Sequence, residues 1–211
     1  MKKYIVAMLL LSFSLLIAQE DLVEKDFPNI GNSGIYGSFQ QMLKNVDNLG
    51  GVDVEWDYST LTNTQDYKTI TWISITNATD EQKQNYPDAT YIELNNTGIK
   101  LDRFFKVDSK AQKLLGFATT SHNYYYKDPL DYYSYPMKFG NVKKSTFVYK
   151  DETNGKGTLN VVYDGTGTLK LPNGNFDDVY RLKLQTRTVF PDDENDTTIT
   201  NEVQFIKRGS G

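Results

Sequence analysis

Gly165-Thr-Gly-Thr-Leu-Lys-Leu-Pro-Asn-Gly-Asn-Phe176, continued by Asp177-Asp-Val-Tyr-Arg-Leu-Lys-Leu-Gln-Thr-Arg-Thr-Val-Phe190, decides the fold class. Leu169 and Leu171 lie two residues apart, so in an extended chain they share a face. Pro172-Asn173-Gly174-Asn175 supplies turn chemistry, because proline presets its own φ and Asn-Gly tolerates positive φ. On the return, Tyr180, Leu182, Leu184 and Phe190 hold even positions, while Arg181, Lys183, Gln185 and Arg187 hold odd ones. That alternation predicts a strand with one buried and one wet face. Leu169–Leu171 and Phe176–Phe190 are therefore expected to pair as antiparallel strands.

The pattern extends in both directions. Downstream, Pro191 to Asp196 reads as a turn, and Ile199, Val203 and Phe205 mark a last strand. Upstream, residues 156–163 alternate cleanly and 145–150 reads as another strand. Shorter strands are expected over 112–120, 99–107 (with Arg103 on the apolar side), 89–94 and 67–76. Val52, Val54 and Trp56 alternate with Asp53, Glu55 and Asp57, which puts three carboxylates on one solvated face. Thr79-Asp80-Glu81-Gln82 starts a helical turn, and Ile35, Phe39, Met42, Leu43 and Val46 predict a short helix over 37–47 ended by Gly50-Gly51. Residues 19–35 read as an irregular lead-in. The expected class is mainly β: an antiparallel sandwich or a strongly curved half-barrel-like sheet, with one or two short helices.

One span departs from the pattern. His122-Asn123-Tyr124-Tyr125-Tyr126 runs on to Tyr132-Tyr133-Ser134-Tyr135-Pro136, and Asp128-Pro129 breaks any regular run, so this span reads as a loop. Tyr124, Tyr125, Tyr126, Tyr132 and Tyr133 are the candidate ligand-contacting residues. Lys127, Asp128 and Asp131 lie among them and favour water, which argues against all five rings pointing inward. The competing view makes the rings a lid over one end of the core.

Lys2 and Lys3, an apolar run from Ile5 to Ile17, and Ala18 before Gln19 have the layout of a secretory signal peptide. Residues 1–18 are assigned to it, leaving 19–211 as one exported β domain with no span long enough for a bilayer. Cysteine is absent, so there is no disulfide framework and no thiolate metal site. A net charge of −4 with interspersed signs lacks the basic footprint of a nucleic-acid binder.

Little reactive chemistry is legible. A single histidine, His122, excludes a multi-histidine metal site, and neither a Gly-x-Ser-x-Gly elbow nor a phosphate-binding glycine loop is present. No cofactor or metal is expected. Asp53, Glu55, Asp57, Asp128 and Asp131 qualify by type for the carboxylate pair of a glycosidase. The acidic run Asp192 to Asp196 lacks the EF-hand ligand order and reads as a solvated hairpin tip.

Four pieces carry a resemblance: Gly51-Val-Asp-Val-Glu-Trp-Asp-Tyr-Ser-Thr-Leu61, Pro87-Asp88-Ala89, Tyr135-Pro-Met-Lys-Phe-Gly140 and the hairpin quoted above. Together they resemble a group of exported Bacteroidota, particularly flavobacterial, proteins whose modules often precede a type IX secretion sorting domain. Asp196-Thr197-Thr198 resembles the O-glycosylation motif of such proteins. The resemblance implies a secreted or cell-surface location after Sec export and no particular activity. The sorting domain is missing after Gly211, so the expectation is either that it was trimmed or that the protein uses another route and stays periplasmic. The expected function is a non-catalytic module binding a glycan, a peptide or an envelope protein. The alternatives are a secreted carboxylate-pair hydrolase acting on polysaccharide and a structural spacer.

Overall fold

Two antiparallel-rich sheets pack face to face as a β-sandwich, the first of the two expected architectures. The computed structural model describes residues 20–31, 33–36, 49–60, 68–95, 101–151, 155–191 and 193–208. The leader expected at 1–18, the helix expected over 37–47 and the residues after Arg208 lie outside them.

The first sheet contains β1 (Ser33–Tyr36), β3 (Lys68–Ser74), β4 (Tyr91–Asn95), β5 (Leu101–Val107), β6 (Ala111–Thr119) and β7 (Asn123–Ser134), side by side in that order. The second contains β11 (Asp193–Lys207), β10 (Gly174–Phe190), β9 (Lys156–Leu171) and β2 (Gly51–Asp57), and β8 (Val142–Val148) also pairs with β9. β9 is long enough to hold two neighbours end to end on one side. β8 runs antiparallel along Lys156–Val162, and β2 runs parallel along Gly165–Lys170. Helix α1 (Asp80–Asn85) forms where Thr79-Asp80-Glu81-Gln82 predicts it, with Thr79 and Gln82 closing a reciprocal capping box.

The decisive hairpin folds as expected: Leu169 pairs with Phe176, and Leu171 with Gly174. Leu182 and Leu184 are buried between the sheets with Leu159, Val161, Tyr163 and Tyr180, facing Tyr91, Phe105, Leu114 and Leu130. The lead-in caps this core. Leu22 and Phe27 are fully buried, Leu22 pairs with Met137, and the Tyr180 hydroxyl donates to the Asp26 carbonyl.

Two expectations need correction. Arg181 sits on the face opposite Leu182, as the alternation requires, yet it is completely buried. The cause is a set of bulges at one level of the sheet. Arg181 pairs with Gly165 and Leu182 with Tyr163, so Asp164 is an extra residue in β9. Asp53 in β2 and Asp178 in β10, both at φ 55°, accompany further register shifts beside it. A one-residue shift moves every later side chain to the other face. Odd residues of β9 therefore line the sandwich core up to Tyr163, and from Gly165 onward they face away from it. There Leu169 and Val179 join Trp56 in a second, smaller core, with Phe205 edge-on to Trp56 at 5.0 Å. Glycines admit the tryptophan: a Cβ on Gly165 would lie 2.7 Å from Trp56 Cζ2, and one on Gly167 would lie 1.8 Å from the Val54 carbonyl oxygen.

The tyrosine span is a strand, β7, and not a loop. Proline is tolerated because β7 is an edge strand, where a missing N–H breaks no ladder. Residues 126–129 bulge away from β6, since Leu130 pairs with Leu114 and Tyr125 with Gly116. Tyr126 instead bridges to Tyr149, after the end of β8 in the other sheet.

Candidate functional site

Cross-strand register builds a row across the inner face of the first sheet. Trp72 pairs with Glu93, Glu93 with Arg103, Arg103 with Phe117, and Phe117 with Tyr124. Directly paired residues point to the same face. At about 4.8 Å per strand the row is roughly 19 Å long. Trp72, Arg103, Phe117 and Tyr124 are half-buried and Glu93 is buried, so the row has aromatic ends and a charged middle.

The charged middle is a closed network. Arg103 contacts Glu93 at 2.9 Å and Glu202 of β11 at 3.7 Å, and its guanidinium carbon lies 5.8 Å from the centre of the Tyr132 ring. The Tyr133 hydroxyl donates to Gln204 at 2.6 Å, and Gln204 donates to Glu202 at 2.7 Å. Burial raises the Glu93 carboxyl above its ordinary range, and Arg103 offsets part of that rise. An arginine on the apolar side of a predicted strand was the available signal for this network: it requires a buried carboxylate partner.

The aromatic end opens to solvent. His122, Asn123, Tyr124, Tyr125, Lys150 and Asp151 line a depression of about 620 Å³ where β7 meets the end of β8. Phe117 stacks on Tyr124 with ring centres 4.7 Å apart, and Tyr149 meets Tyr124 edge-on at 6.2 Å. Tyr125 faces the other side of the sheet. It lies against Tyr86 at 4.9 Å, and the Lys150 ammonium is 5.5 Å from its ring centre. His122 is exposed, with Nδ1 2.8 Å from Ser121 Oγ.

The five candidate tyrosines thus divide. Tyr124 and Tyr125 are half-buried and line the depression. Tyr126, Tyr132 and Tyr133 are buried: Tyr126 packs on Phe147 and Tyr149, and Tyr132 packs on Phe105 and Tyr133. Burial also raises the hydroxyl pKa of these three, so they act as neutral hydrogen-bonding groups. Along 124–126 successive rings alternate between faces, which sends Tyr126 into the inter-sheet core; Gln112 pairs with Tyr133 and Lys113 with Asp131, so Tyr132 is an extra residue whose bulge lets both neighbouring rings enter that core. Lys150, Asp151 and Tyr149 join the site from a distant part of the chain and carried no local sequence signal.

The carboxylates singled out by type lie on the surface. Asp53, Glu55, Asp57, Asp128 and Asp131 are all exposed. Glu55 pairs with Lys170 at 2.7 Å, and Asp57 accepts from the Ser59 amide and hydroxyl. Among the described residues no group of three or more His, Asp or Glu side chains is placed to hold a metal ion, and no helix is long and apolar enough to cross a membrane. No protein-family model, curated protein or solved structure matches this chain.

Proposed function

We propose that the protein is a non-catalytic exported or cell-surface module that binds a glycan at the Tyr124–Tyr125 depression. The observation that carries this reading is the pairing of two partly exposed tyrosines with a hydrogen-bonding rim in a concavity of about 620 Å³. That volume falls within the range of about 300–1,000 Å³ usual for small-ligand sites. Tyrosine offers broad contact area at low side-chain entropy cost, and its hydroxyl adds direction. Phe117 and Tyr149 brace Tyr124 from behind and from the side, which preorganises it. Asn123, Lys150 and Asp151 supply donors and acceptors suited to sugar hydroxyls. The amino-terminal layout and the resemblance to exported flavobacterial proteins support a place outside the cytoplasm.

Glycan-array screening followed by calorimetry tests the reading. Tyr124→Ala and Tyr125→Ala should each weaken binding at least tenfold while the melting temperature holds. Absence of any carbohydrate ligand, or affinity untouched by both changes, refutes it; capture of a peptide at the same tyrosines would also refute the glycan assignment.

A second reading, a polysaccharide hydrolase, draws on Glu93 and Glu202, which converge on Arg103. It ranks lower because the guanidinium between them holds both carboxylates in an internal network. Release of reducing sugar that disappears in Glu93→Gln would reverse that ranking.

A further inference from the structure

The sheet edges are unequally guarded. An edge strand presents unpaired N–H and C=O groups that can template another chain, and short length, charge, proline or bulges discourage this. β1 is only four residues long. β2 carries a bulge at Asp53 and the carboxylates Asp53, Glu55 and Asp57. β7 contains Lys127, Asp128, Pro129 and a bulge. β8 has Lys143 and Lys144 and is approached by β7.

β11 differs. It is 15 residues long and stands at the end of its sheet. It pairs with β10 without a register shift from Thr197 to Lys207, so this part of the edge is regular. Residues 197–201 read Thr-Thr-Ile-Thr-Asn, with no charge and no proline. In their centre Ile199 is 56% exposed, more than most large apolar side chains among the described residues.

We propose that the protein forms a two-fold dimer in which β11 pairs antiparallel with β11 of a second copy, centred on Thr200. A two-fold axis normal to the sheet makes such a pair antiparallel and self-complementary. This register pairs Thr197–Val203 of one copy with the same residues of the other, all within the part of the strand that runs without a register shift. Residues equidistant from Thr200 then face each other: Ile199 meets Asn201, Thr198 meets Glu202, and Thr197 meets Val203. No two like charges are opposed, since Glu202, the one charged residue of Thr197–Val203, faces Thr198. Ile199 becomes the diagonal neighbour of Ile199 in the second copy, which covers its exposed face. The two sheets that contain β11 join into one continuous sheet.

The absence of cysteine makes the register directly readable. Directly opposed residues in an antiparallel pair have Cα atoms about 4.5–5.5 Å apart, within disulfide reach. Purified Thr200→Cys protein should therefore convert to a reducible covalent dimer under mild oxidation. In Thr198→Cys the two thiols would be four residues out of register, roughly 14 Å apart, and should stay unlinked. Sedimentation velocity of the unmodified protein should give twice the mass of one chain. Ile199→Lys should weaken the dimer at least tenfold without changing the circular dichroism spectrum. A monomer at all concentrations overturns the proposal, as does a dimer that Thr200→Cys fails to trap or that both cysteines trap equally.

Discussion

Replacing Gly167 with alanine isolates the contact that seats β2 on the second sheet. Gly167 has φ +155°, and a Cβ there would lie 1.8 Å from the Val54 carbonyl oxygen and 2.7 Å from the Val54 amide nitrogen. These are backbone atoms, so no rotamer change relieves the overlap; β2 must move. Gly174 provides the control. Its φ is +150°, almost the same, but nothing lies within 4 Å of its would-be Cβ. Gly174→Ala should cost only backbone strain, about 1–3 kcal/mol. Gly167→Ala carries the same strain and also displaces Trp56, which is 1% exposed. Full loss of a buried tryptophan side chain costs about 3–5 kcal/mol, so partial displacement should add about 2–4 kcal/mol. Urea unfolding followed by circular dichroism should therefore show Gly167→Ala at least about 2 kcal/mol less stable than Gly174→Ala. The two losses should also be non-additive when Gly167→Ala is combined with Trp56→Ala, because both remove the same packing. Equal destabilisation by the two alanines would refute the reasoning, since strain alone would then account for the glycine.

Leu182→Ala should cost about 2–5 kcal/mol through lost transfer energy and a cavity, because Leu182 is fully buried in the inter-sheet core; a neutral denaturant melt would contradict that placement. Arg103→Met leaves Glu93 buried without its cation and should cost about 3–5 kcal/mol at neutral pH, with Glu93→Gln in the same chain restoring much of the loss in urea melts. The Glu93 carboxyl is raised above 4.5 by burial, so the native state binds its proton more readily than the unfolded chain does. Its contribution is most favourable below 4.5 and is lost as pH rises through the higher native value; a carbon-detected NMR titration of Glu93 with a midpoint at or below 4.5 would contradict this. Asp108 behaves oppositely: its hydrogen bond from Lys113, with those from the Lys110 and Ala111 amides, lowers it from 3.8 to about 2. Its stabilisation is present above 3.8 and is lost as pH falls toward 2, so Asp108→Asn should flatten melting temperature against pH in that window.

The hairpin was legible because its information is local. Alternation, a proline and an Asn-Gly pair lie within one short stretch, and the pairing of Leu169 with Phe176 follows from them. The burial of Arg181 was not legible, because it depends on Trp56 arriving from a segment more than a hundred residues upstream. Alternation assigned Arg181 to the correct face; it could not say that β2 and its tryptophan would cover that face. The tyrosine span was misread for a related reason. Asp128-Pro129 is a breaker in a central strand and harmless on an edge, and edge position is a property of the whole sheet. Within the candidate site, the aromatic half was visible as a run of tyrosines, with strand geometry then selecting Tyr124 and Tyr125. Lys150 and Asp151 meet those rings only after β7 and β8 are in place. The charged network had a faint signature, an arginine among the apolar residues of β5.

The parallel pairing of β2 with β9 sets a timetable for the chain. Gly51 waits for Gly165, a separation of 114 residues (165 minus 51). At ribosomal rates of about 5–20 residues per second, Val54 and Trp56 are made roughly 6–23 s before their sheet partner exists. A chain truncated ahead of Gly165 has nowhere to put Trp56, whereas the β3–β7 meander has by then acquired every one of its consecutive neighbours. The first sheet can therefore assemble as the chain emerges, and the Trp56 layer closes only once the carboxy-terminal hairpin is complete. With Trp72 replaced by Phe, Trp56 fluorescence consequently reports the end of folding.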